Sequence, residues 1–217
     1  MKAGRSLTRC AVALALILGI SACGERPEIP KNGGIALLVI DCQRDYLQAN
    51  GRMPVAQDQA GPMITTVNNL IAAMQKQAVP VIYTQNDFPP WDFFGNLSRN
   101  YAASRYTPGQ TFDTRLDDTA GIYLMKHRPD AFSNDEMQSH LGIIDVSNLV
   151  LSGVFAEKSV LDTAKAALKM GYKVTVISDA VAGASDAGRD KALNEMKVAG
   201  AGIKTSSEFI GSFGQGA

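Results

Sequence analysis

Several residue types are scarce in this chain. Its 217 residues include one tryptophan, two histidines and three cysteines, and the formal net charge is zero. Balanced charge gives no global attraction to nucleic acid, so no nucleic-acid partner is expected. The two histidines, His127 and His140, read as surface or structural residues. The first apolar run, Ala11 to Ile20, is too short to cross a bilayer comfortably. No internal repeat is visible. What remains is ordinary for a globular protein, 46% hydrophobic and 19% charged. That length and composition allow one domain with a sizeable core.

The N-terminal segment reads differently from the rest. Lys2, Arg5 and Arg9 precede the apolar run, and Ile20-Ser21-Ala22-Cys23 follows it. Basic, apolar, then small residues is the pattern of a secretory signal peptide. The small residues ending in Cys also resemble a bacterial lipobox, which implies cleavage before Cys23 and lipidation of its thiol. A plain signal peptide and an uncleaved anchor are the alternatives. Gly24, where Asp would mark inner-membrane retention, favours the outer membrane. Residues 1–22 are thus expected to be a lipoprotein signal, and 23–34 a polar, Pro- and Gly-containing tether. The location expected is the periplasmic face of a bacterial membrane. Losing residues 1–22 leaves 18 basic against 21 acidic residues, a net charge of −3. Cys10 leaves with the signal and Cys23 is acylated, so Cys42 alone stays free and no intrachain disulfide forms.

From Ile35 the chain alternates between two periods. Ile35–Ile40 is a continuous apolar run, as in a strand buried on both faces of a parallel sheet. Met63–Met74 carries Val67, Leu70, Ile71 and Met74 at helical spacing. Val79–Tyr83 and Ile122–Met125 read as strands, and Asp135–Leu141 as a short helix. Leu149–Leu151 reads as a strand broken by Ser152-Gly153. A helical pattern from Ser159 to Met170 follows and stops at Gly171. Lys173–Ile177 is a strand, Asp186–Ala199 a helix and Gly202–Thr205 a last strand. Residues 211–217 read as a flexible tail. Between them, 86–118 shows no period and holds Pro89-Pro90, Trp91 and Phe93-Phe94. A loop that long is either functional or disordered, and a lid or pocket wall is preferred to plain disorder.

Alternating strands and helices predict an α/β fold, a three-layer α/β/α sandwich with a mainly parallel sheet over 35–210. Right-handed crossovers then put every strand's carboxyl end on one edge. Asp41, Asn86, Lys126 and the Gly153 turn each follow a strand, so they should meet there, where open α/β sheets bind ligands. Backbone N–H groups at the start of the helix after Gly153 can stabilise an anion. An ordinary βα unit is the plain alternative. Asp41 and Lys126 within hydrogen-bond reach would make an acid–base pair, although either alone is more often a solvated strand end.

Three segments resemble the isochorismatase-like, or cysteine hydrolase, superfamily: Leu38–Leu47 (LVIDCQRDYL), Lys126–Phe132 (KHRPDAF) and Ser152–Ala164 (SGVFAEKSVLDTA). Gly171-Tyr172 and Ser178-Asp179-Ala180 extend the third. The resemblance implies hydrolysis of C–N or C–O bonds in small metabolites. It makes Asp41 the acid/base and Lys126 its partner. It also implies a cis peptide at Val154-Phe155, aiming the amides of Phe155 and Ser159 at an oxyanion.

Two positions depart from the pattern. Asp130 stands where a small residue is more usual. Ser159 stands where the family carries its nucleophilic Cys. A hydroxyl is far harder to ionise than a thiol and needs a committed base. Ser159 as a nucleophile with neutral Lys126 as base and acid–base chemistry through Asp41 alone both stay open. Cys42 is expected to be a buried filler facing away from Asp41.

Members resembling nicotinamidases bind a metal through an Asp and His residues after the second strand. Here that stretch reads TQNDFPPW, so neither a metal nor another cofactor is expected. Gln85, Asn86 and Trp91 are candidate substrate contacts. The expected partners are a small-molecule substrate and, through the anchor, a membrane; homo-oligomerisation stays open. The expected function is hydrolysis of a small amide or ether by an exported, lipid-anchored protein. The alternative is a small-ligand-binding or scaffolding lipoprotein that keeps the fold without catalysis.

Overall fold

The computed structural model describes residues 33–213. The signal sequence, Cys23 and nearly all of the tether lie outside the described residues, as do residues 214–217. Six strands form one sheet: β1 (Gly34–Ile40), β2 (Val81–Asn86), β3 (Ile122–Lys126), β4 (Val146–Val154), β5 (Lys173–Ala182) and β6 (Gly202–Lys204). Their order is β3-β2-β1-β4-β5-β6, and every pair is parallel. The order reverses at β1, so β2 and β4 flank it and their carboxyl ends open a crevice.

Side-chain alternation on β1 divides the core. Leu37 and Val39 face one layer, with Leu47 of α1 (Arg44–Leu47), Val67, Leu70, Ile71 and Met74 of α2 (Gln57–Lys76) and Phe209 of α7 (Ser206–Phe213). Ala36, Leu38 and Ile40 face the other. There they meet Leu141 of α4 (Asp135–Ile143), Leu161 and Ala164 of α5 (Leu161–Met170) and Met196 of α6 (Asp186–Val198). The four α2 side chains are fully buried. Each such aliphatic contributes about 1.5–3 kcal/mol on removal from water.

Several boundaries differ from the sequence expectation. α2 begins six residues early and runs through Pro62. Its first turn is tied down by Gln59, which accepts from the Gly183 amide and donates to Asp186. β2 starts later and ends at Asn86. β4 does not break at Ser152-Gly153 but continues to Val154. Gly153 has φ +111°, and a Cβ there would lie 2.0 Å from the Ile40 carbonyl oxygen, so glycine lets β4 stay against β1. β5 extends to Ala182. The chain from Ser206 to Phe213 is helical, so the expected flexible tail cannot begin at residue 211. Gly171 ends α5 in the left-handed conformation, as its position suggests. Within 86–118 a six-residue helix, α3 (Phe93–Ser98), and a 3₁₀ turn at Pro108–Gln110 interrupt the irregular path.

Candidate active site

Four neighbouring strands deliver the site. Reading β3, β2, β1 and β4 in sheet order gives Lys126, Asn86 and Asp41 at successive strand ends, then Ser159 on the turn after β4. The β2–β3 register sets Asn86 beside Lys126. Asp41 follows β1 with φ +53°, a left-handed conformation that few non-glycine residues adopt. Its amide donates to the Thr84 carbonyl at 3.0 Å.

The three polar side chains form one buried network. Lys126 Nζ donates to Asp41 Oδ2 at 2.7 Å, to Asn86 Oδ1 at 2.8 Å and to the Arg128 carbonyl at 3.0 Å. Asp41 also accepts from Asn86 Nδ2 at 2.8 Å and from Thr84 Oγ1 at 3.1 Å. Asp41 and Lys126 are 1% and 2% exposed, so neither ion is screened by solvent. Burial pushes the Lys126 ammonium below the ordinary lysine value, against the pull of Asp41. All three ammonium protons have acceptors, so the geometry suits a fixed cation rather than a base.

Ser159 lies on a π-helical turn, Ala156–Val160, which the Val160 amide closes on the Phe155 carbonyl. The Val154–Phe155 peptide bond is cis. Ser159 lines a cavity of about 340 Å³ with Asn86, Tyr46, Phe88, Phe155 and Arg128 among others. Its hydroxyl has no hydrogen-bond partner among the described residues. Tyr46 and Phe155 meet edge to face at 5.4 Å. The Arg99 guanidinium lies 3.6 Å from the Phe88 ring centroid while pairing with Asp92.

Cys42 is fully buried in the α2-side core, and burial, then Asp41 and Asp113, push its thiol up. Its direction is set by the backbone turn at Asp41 rather than by strand alternation, since β1 ends at Ile40. Two expected substrate contacts lie elsewhere. Gln85 alternates with Thr84 and Asn86, so it turns away from Asp41 and donates to the Gln110 carbonyl. Trp91 is 68% exposed beyond Pro89-Pro90, with Arg105 over its ring at 5.8 Å, and does not line the cavity.

Two supporting residues went unnoticed in the sequence. Gln43 accepts from the Asn86 amide and donates to its carbonyl, holding the end of β2. Tyr46 accepts from Asn86 Nδ2 at 3.2 Å and forms a cavity wall. Both lie within DCQRDY, but their partner is 40 or more positions away. Only a polar Gln just after an apolar strand hinted at such a role.

A sequence profile of the isochorismatase domain matches residues 35–208. The chain belongs to the isochorismatase family. Ureidoacrylate amidohydrolase RutB of Pseudomonas savastanoi pv. phaseolicola is 29% identical over 174 residues, covering 69% of this chain and 71% of that protein. Nicotinamidase of Escherichia coli K12 is 26% identical over 213 residues, covering 80% and 96%. Among solved structures, pyrazinamidase of Pyrococcus horikoshii in complex with zinc has a TM-score of 0.70 and 27% identity, covering 79% of this chain and 98% of that one. An isochorismatase family protein of Desulfovibrio vulgaris has a TM-score of 0.75 at 20% identity, covering 84% and 100%, and supports the fold alone.

The zinc in the Pyrococcus horikoshii pyrazinamidase raises the question of a metal here, and the described side chains of this family member do not fit one. Asp87 follows β2, but both its oxygens accept from Arg105 and one also from Gln110. His127 Nδ1 lies 2.7 Å from the Asp87 carbonyl oxygen, and His140 sits on α4. Among the described residues no three His, Cys, Asp or Glu side chains gather as a ligand set.

Proposed function

We propose that this isochorismatase-family protein hydrolyses a C–N bond in a small amide, with Asp41 moving the proton. The observation that carries the reading is the buried Asp41–Lys126 pair, 2.7 Å apart, at the edge of the sheet where Asn86 and Ser159 line a cavity. Amide-hydrolysing relatives such as nicotinamidase and ureidoacrylate amidohydrolase support the choice of bond.

The chemistry follows from which groups are free. Lys126 has no spare proton acceptor site and serves as the cation that orients Asp41. Ser159 has no base bonded to its hydroxyl, which supports water rather than serine as the nucleophile. Asp41 takes a proton from that water as its oxygen adds to the amide carbonyl. The carbonyl electrons move onto oxygen, where backbone N–H groups of Phe155 and Ser159 stabilise the charge. Asp41 then gives its proton to the nitrogen as the C–N bond breaks. A carboxylic acid and an amine or ammonia leave.

The family resemblance sets Ser159 where a nucleophilic Cys is expected, and this supports one second reading, a ligand-binding protein without turnover. A panel of small amides and carbamoyl compounds, assayed for amine or ammonia release, separates the two. Release from at least one member above the buffer rate is expected. Binding without release from any member would instead support the non-catalytic reading.

We further propose that the domain works outside the cytoplasm on a lipid attached to Cys23. The basic, apolar and small-residue order of residues 1–23 supports this.

A further inference from the structure

The walls of the cavity carry charge of one sign. Arg99, Arg128 and Lys158 line it beside His127, whose Nδ1 meets the Asp87 carbonyl oxygen, and no aspartate or glutamate does among the described residues. Two of these cations are already answered. Arg99 pairs with Asp92 at 2.8 Å and Lys158 with Asp162 at 3.2 Å. Asp130 stands close by, but it caps the turn at Phe132 through Oδ1, and burial and then Asp162 raise its carboxyl above the usual range. Asp41 lies beneath the cavity and is neutralised by Lys126. Arg128 is the exception. Its carbonyl holds Lys126, while its guanidinium makes no hydrogen bond or ion pair among the described residues.

Shape adds a second constraint. Phe88, Phe155 and Tyr46 are buried and form apolar walls. A volume of about 340 Å³ is at the lower end of the range for small-molecule sites.

We infer that the cavity takes a small, flat, anionic molecule, its carboxylate on the Arg128 guanidinium and its apolar body between Phe88 and Phe155. A guanidinium matches a carboxylate with two parallel N–H bonds, which a neutral group cannot reproduce. The inference rests on the proposed hydrolysis only in naming the substrate as a carboxylate-bearing amide; the binding preference stands apart from turnover.

The test uses three probes with one ring and no hydrolysable bond: benzoate, benzyl alcohol and benzylammonium. Affinities are measured by NMR titration of the wild-type protein and of Arg128→Gln. Benzoate is expected to bind about tenfold tighter than benzyl alcohol, with benzylammonium weakest. Arg128→Gln should erase the benzoate advantage and leave benzyl alcohol unchanged. Benzoate no tighter than benzyl alcohol, including no binding by either, overturns the inference. So does an advantage that survives in Arg128→Gln, which places the anion on another cation. A benzoate preference with no amide hydrolysed would instead overturn the proposed reaction and leave the anion site standing.

Discussion

Asp41 and Ser159 carry the functional argument at the scale of single residues, and they were legible to different degrees. A carboxylate ending an apolar strand is visible in sequence, and its meeting with Lys126 follows from parallel topology. The saturation of Lys126 by three acceptors was not legible, because one of them is the Arg128 carbonyl. That detail favours a fixed ammonium over neutral lysine as a base. Ser159 stood out in sequence through the family resemblance, but its lack of a hydrogen-bond partner among the described residues did not. Its accessibility can be checked without a substrate. Ser159→Cys should react with iodoacetamide at the new thiol while Cys42, fully buried, stays unmodified. Peptide mapping reads both sites. A Ser159→Cys thiol as inert as Cys42 would mean that the turn does not present its side chain to the cavity.

Elements show where period and local propensity stop being informative. The helical face of α2 was readable from Val67, Leu70, Ile71 and Met74. Its first six residues were not, because Gln59 is held by Gly183 and Asp186, over 120 positions away. Ser152-Gly153 reads as a breaker, yet β1 needs a residue without Cβ there to keep β4 in contact. Gly153→Ala should therefore destabilise the protein by roughly 3–5 kcal/mol in urea unfolding, from positive φ and backbone overlap together. A loss below about 1 kcal/mol would contradict that close approach.

Asp130 offers a test with a pH sign. Its folded-state carboxyl is raised by burial and then by Asp162. The stability it contributes is complete below the unfolded value and falls as pH rises through the folded one. Asp130→Asn keeps the capping oxygen and loses the charge. The melting temperature of Asp130→Asn should match the wild type near pH 3 and exceed it at pH 7. A lower value at pH 7 would show that the ionised carboxylate is stabilising.

For the whole molecule, the alternation of strands and helices was enough to read the parallel sandwich and the edge that holds the site. The path of 86–118 was not, because it is fixed by pairings such as Arg105 with Asp87 and Arg115 with Asp113 that no period encodes. Gln85 was misplaced because β2 runs on to Asn86 and alternation turns Gln85 away from Asp41, and Trp91 because the chain after Pro89-Pro90 carries it off the cavity. The proposed anchor is tested at this scale too. Cys23→Ser should move the protein from the membrane to the soluble fraction, and unchanged partition would point to another means of attachment.

The proposed reaction makes a whole-protein demand that a pair of variants can decide. Amine or ammonia release from a turned-over amide is measured for wild type, Asp41→Asn and Ser159→Ala, each shown to be folded by circular dichroism. Water activated by Asp41 predicts that Asp41→Asn falls to the buffer rate, a loss of at least a hundredfold, while Ser159→Ala stays within about tenfold of wild type. Full activity in Asp41→Asn, or a Ser159→Ala variant as dead as Asp41→Asn is predicted to be, would contradict the account.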